Sequence, residues 1–91
     1  MLKGVTETGF TFEVLEDVKD DIEFLDAAVA ADGGDLSALP GLLLHMLGPD
    51  GKKRLYDHCR NDKGVASTKG VMREVKEIFE IIGKHDTDVK N

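Results

Sequence analysis

Two segments of this chain place apolar residues at i, i+4, i+7 and i+11: Val18, Ile22, Leu25 and Val29 in one, Val71, Val75, Ile78 and Ile82 in the other. That spacing stacks side chains along one face of an α-helix, and nothing else in the sequence constrains the fold as much. It predicts a helix from about Glu16 to Ala31, stopped by Asp32-Gly33-Gly34, and a last helix from about Ser67 to Ile82, stopped by Gly83. In each, the apolar stripe is expected to face the core, with Phe79 widening the second.

Between them lies "DLSALPGLLLHMLG". Asp35 or Ser37 suits its start as a cap, and with Ser37 in that role Pro40 falls in the first turn, where its missing N–H has no intrahelical partner to lose. The run Leu42, Leu43, Leu44, Met46 and Leu47 is apolar on more than one face, as in a short helix buried on most sides or one that offers apolar surface to a partner. Gly48-Pro49 is expected to end that helix and begin another, with Leu55 and Cys59 facing inward and "RNDKG" closing it. At the front, Phe10, Phe12 and Val14 alternate with polar residues along a strand, and Thr8-Gly9 supplies a turn back to residues 2–6. The expected fold is therefore mainly α: a compact bundle of about four short helices (16–82) with a small N-terminal β-hairpin (1–14). It forms one domain over 1–83, followed by a mobile polar tail, "KHDTDVKN", at 84–91.

A chain of 91 residues buries only about 60–65% of its unfolded surface, so its core is small and self-association is expected to help it. Cys59 is the single cysteine, and no basic N-terminal region followed by a long apolar run marks a signal peptide or membrane span. A soluble, cytosolic protein is expected. The net charge is −6, but residues 16–35 hold eight acids against one lysine, so the remainder of the chain sums to +1. The first turns of the predicted helix take Glu16, Asp17, Asp20 and Asp21, where free N–H groups and the helix dipole favour negative charge. Residues 49–70 carry six Lys and Arg against three Asp. One acidic and one basic element suit head-to-tail contact between copies, Asp20 and Asp21 of one meeting Lys52, Lys53 and Arg54 of the next.

Chemistry is harder to find. "YDHC" gathers reactive residue types at 56–59, yet neighbours on a helix point about 100° apart, so His58 and Cys59 do not face each other as base and thiol must. Cys59 reads as a small core residue and His58 as a surface or capping side chain. His45, His58, His85 and Cys59 are too scattered to seed a metal site, and "DGGD" supplies one carboxylate where a calcium loop wants three oxygens. No phosphate-cradling glycine motif and no G-x-S-x-G is present. The chain is expected to have no catalytic, cofactor or metal residues. Its negative charge and lack of an aromatic-interleaved basic stripe argue against nucleic acid as a partner.

The order "GFTFEV", "DDIEFLDAAVAADGGD", "ALPGLLLHMLG", "KKRLYDHCRNDKGV", "REVKEIFEIIG" and a terminal "KN" resembles the small tail assembly chaperones of long-tailed phages and prophages, especially those of Gram-positive hosts. The resemblance spans nearly the whole chain and includes no catalytic signature. It implies a protein that acts in the host cytoplasm, binds the helix-rich tape measure protein, keeps it soluble, helps tail-tube subunits gather around it, and is absent from the mature virion. It also implies a longer frameshifted form, with which Lys90-Asn91 is compatible. A chaperone of this kind needs exposed apolar surface, and Leu43, Leu44, Met46 and Leu47 are the candidates, at least one of Leu43, Leu44 and Met46 being expected to be exposed. Two other readings fit the residues. One is a small acidic regulator that covers a basic protein surface through its carboxylates at 16–26. The other is a structural component that stays in the particle.

Overall fold

The computed structural model describes residues 2–90, with side chains described over 2–83. The chain is mainly helical, with an N-terminal hairpin of β1 (Leu2–Val5) and β2 (Thr11–Val14) followed by α1 (Ile22–Asp32), α2 (Leu39–His58) and α3 (Thr68–Lys90). The strands pair antiparallel, Leu2 opposite Val14 and Gly4 opposite Phe12. Thr6 and Phe10 close the turn, in which Gly9 adopts a positive φ of 91° that a side chain would resist. Period-two alternation does what it predicts: Phe10, Phe12 and Val14 are all buried. Gly4 makes room for them, because a Cβ there would lie 2.7 Å from the Phe12 ring. The hairpin's apolar face rests on α2 and α3.

The first predicted helix is broken. Residues Glu16–Asp20 form a 3-10 turn, Asp21 is extended (φ −94°, ψ 107°), and α1 begins only at Ile22. Extending Asp21 lets its carboxylate accept the backbone N–H groups of Glu23 (3.0 Å) and Phe24 (3.1 Å), capping two donors that a continuous helix would leave to its own backbone. The break rotates α1 relative to the turn before it. Val18 stays in the core, but Ile22, Leu25 and Val29 are 67%, 53% and 65% exposed, so the expected inward stripe points outward. Facing inward instead are Phe24, Ala27, Ala28 and Ala31, which share the i, i+3, i+4, i+7 spacing, and the three alanines admit α2 closely. α1 ends as predicted at its glycine pair: Gly34 takes φ 98°, its N–H bonds Ala31 O, and the N–H of Asp35 bonds Ala30 O.

Asp35 then caps a 3-10 turn, Leu36–Ala38, which leads into α2 with Pro40 in its first turn. The expected interruption at Gly48-Pro49 is present: two helical segments meet there at a kink, and counted as the single element α2 they give three helices among the described residues where about four are expected. Gly48 adopts φ 76°, ψ 173°, and Pro49 has no N–H to give, but the helix resumes at once in a new direction. Leu39, Leu42, Leu43, Met46 and Leu55 of α2 form the centre of the core. A loop pinned by the Asn61 side chain, which accepts the N–H groups of Lys63 and Val65, returns the chain to Ser67, whose Oγ accepts the Gly70 N–H at the start of α3. Val71, Val75 and Ile78 are buried as their spacing predicts. α3 passes through Gly83 instead of stopping there, since glycine without a positive φ costs a helix only about 1 kcal/mol and does not end it. The expected mobility of 84–91 lies outside the residues with described side chains.

Candidate interaction surface

The leucine segment divides sharply. Leu43 and Met46 are fully buried in the chain's own core and Leu47 is partly buried, whereas Leu44 is 44% exposed. Of the four residues expected to meet a partner, Leu44 is the one the fold leaves at the surface. Next to it, His45 Nδ1 lies 3.0 Å from Asp21 Oδ2, a contact that ties the first half of α2 to the cap of α1. Ile22 and Leu44, both exposed, are the chain neighbours of Asp21 and His45. Leu15, also exposed, lines the same hollow as Asp21 and His45. Sequence reasoning missed Ile22 as a surface residue. The available signal was the second stripe, Phe24, Ala27, Ala28 and Ala31, together with an Asp three residues before Phe24.

The charged residues expected to mediate self-association are largely spent inside the chain. The Asp21 carboxylate is held below the usual range, first by the Phe24 N–H and further by His45. Arg54 clamps the hairpin: its Nη2 donates to Thr11 O (2.7 Å) and Thr11 Oγ1 (3.0 Å), and its guanidinium lies 5.3 Å from the centre of the Phe10 ring. Lys52 sits over Tyr56, while Asp20 and Lys53 are exposed.

A second gathering of polar groups lies where the hairpin turn meets α2 and α3. Glu74 is only 2% exposed, and its two carboxylate oxygens accept from Thr6 Oγ1 (2.7 Å) and Thr8 Oγ1 (2.9 Å). With the Thr8 proton committed to Glu74, the Thr8 oxygen is left to accept from His58 Nε2, 2.8 Å away, which fixes the imidazole with a proton on that nitrogen. Thr6 Oγ1 in turn accepts the Phe10 N–H, and Glu77 accepts the Glu7 N–H. Cys59 is partly buried nearby, and burial followed by the Glu74 charge raises its thiol, which keeps it protonated and a poor nucleophile at neutral pH. Glu, His, Thr and Cys invite a catalytic reading, but the hydroxyls and carboxylate spend their bonds on one another and hold three elements together.

A concavity of about 670 Å³ runs between α1, the start of α2 and α3. Leu36, Leu39, Leu42, Met72 and Phe79 line it, with Lys69, Arg73 and Lys76 along its α3 lip. A second hollow of about 520 Å³ continues it toward Gly83, sharing Ala28 and Phe79. The edge-on contact of Phe24 with Phe79, ring centres 5.8 Å apart, spans the two helices there. Among the described residues no cluster of His, Cys, Asp or Glu is arranged to hold a metal ion, and no helix is long and apolar enough to cross a membrane. No family model, curated protein or solved structure matches the chain.

Proposed function

We infer that the chain is a non-enzymatic assembly chaperone of phage tails, which binds the tape measure protein in the host cytoplasm, keeps it soluble while tail-tube subunits gather, and leaves before the particle is complete. The observation that carries this reading is Leu44, the one member of the leucine run left at the surface, with exposed Leu15 lining the hollow beside the Asp21–His45 pair. A client helix with an apolar stripe gains by covering such ground, and exposed carboxylates around it (Asp17, Asp20, Glu23) keep the complex soluble. The resemblance along the chain from "GFTFEV" to "REVKEIFEIIG" supports the same role.

Co-expression with the tape measure protein of the same gene cluster tests it. The expected result is a soluble complex that co-purifies and is lost with Leu44→Asp, a change at an exposed position that leaves the core alone. A client that precipitates as it does alone, with nothing co-purified, overturns the chaperone reading. The acidic-regulator reading would then be tested by charge reversal at Asp20, which is exposed and free of the capping duty that Asp21 performs.

A further inference from the structure

Two features of the surface fit one another. Along α1, Ile22, Leu25 and Val29 form an exposed apolar stripe with Asp26 and Glu23 on one edge, and neither acid makes an ion pair with a described residue. Along α3, Met72 and Phe79 line the groove while Lys69, Arg73 and Lys76 follow its lip at i, i+4, i+7, likewise unpaired among the described residues. At about 100° per residue the acids fall on the side of α1 away from the groove, and the groove wall takes Ala28 and Asp32 from the other side. The chain therefore carries an apolar helix face with an acidic edge, and an apolar trough with a basic lip, on different parts of its surface.

We propose that the groove is occupied by α1 of a second copy of this chain, its Ile22–Leu25–Val29 stripe against Met72 and Phe79 and its acidic edge along Lys69, Arg73 and Lys76. The groove follows α3 from Thr68 to Phe79, about 16 Å of helix, which matches the roughly 16 Å of an eleven-residue helix such as α1. Because stripe and groove are separate patches, the contact is heterologous and propagates head to tail unless its rotation closes a ring. The apolar contact supplies the attraction, and the three aligned cations set direction and register, since single exposed ion pairs contribute little. Asp32 on the opposite wall repels an incoming helix whose acidic edge points the wrong way. The contact does not depend on the identity of any client.

Sedimentation of the full chain over a wide concentration range tests this. Wild type is expected to associate with rising concentration, and less tightly as added salt screens the aligned charges. Arg73→Glu/Lys76→Glu and Glu23→Lys/Asp26→Lys are each expected to be monomeric with unchanged circular dichroism, and their mixture to associate again, because each reversed face then finds a complementary one. All four positions are exposed, so misfolding is not the expected cause of any loss. A wild-type chain that stays monomeric throughout overturns the proposal and leaves the groove to a helix of another protein. Charge-reversed variants that associate as wild type does overturn it as well.

Discussion

α1 and α3 carry apolar residues at the same spacing and put them to opposite uses. In α3, Val71, Val75 and Ile78 turn inward beneath the hairpin, and even a glutamate on that helix is buried because two threonines satisfy it. In α1, Ile22, Leu25 and Val29 face water, while three alanines and Phe24 make the inner contact. What separates them is the start of each helix. Ser67 caps α3 where the periodic stripe begins, so the stripe keeps one phase. Asp21 caps α1 in the middle of its stripe, and the extended backbone there turns the rest of the stripe away from the core. An apolar period thus announces a helix, and the cap decides which way it looks.

Substitutions that set the two helices against each other test this contrast. Ile78→Ala should have the largest effect, about 2–5 kcal/mol of stability in urea unfolding, since Ile78 is fully buried and alanine leaves a cavity. Glu74→Ala should cost about 1–3 kcal/mol, because the buried Thr6 hydroxyl loses its acceptor. Thr6→Val in the same background should recover part of that loss, which a purely steric role for Glu74 would not produce. Asp21→Ala should cost less, and its cost should depend on pH. The folded carboxylate is held below its unfolded value, so its contribution is present in full above about pH 4 and is lost as the pH falls through the folded pKa. Thermal melts of Asp21→Ala and wild type should therefore converge in acid; a difference that persists there would assign the loss to packing. Leu25→Ser should change the stability of the dilute monomer least, within about 0.5 kcal/mol, because the side chain is half exposed. A loss as large as that of Ile78→Ala would show that α1 is covered within one chain and would erase the contrast.

The sequence was most readable where a local rule acts alone. The hairpin followed from alternation around Phe10 and Phe12 with Gly9 in the turn, and α3 from an uninterrupted period. α1 was misread because a single aspartate exchanged helical dihedrals for a cap, a contest between two local rules of similar strength. Gly48-Pro49 is legible as an interruption, since Gly48 leaves helical space and Pro49 has no N–H to give; the direction in which the second segment resumes depends on the packing of Leu43, Met46 and Leu55 on both sides. The Glu74 network had no local signature, since its partners lie 66 and 68 residues away in sequence. Of the proposed contacts, Leu44 was visible as a member of the leucine run, and the lip of Lys69, Arg73 and Lys76 became visible only once the groove was.

The bonds from Thr6 and Thr8 to Glu74, and from the Glu7 N–H to Glu77, have a consequence for the order in which the molecule is made. The hairpin is synthesised before α3, but the groups that satisfy its turn arrive only with that helix. Until Glu74 leaves the ribosome the hairpin has neither its polar anchor nor the floor of Val75 and Ile78, and a two-stranded hairpin alone is barely stable in water. A hairpin translated well before α3 thus settles fully only when that helix arrives, and until then Phe10 and Phe12 have α2 alone to cover them.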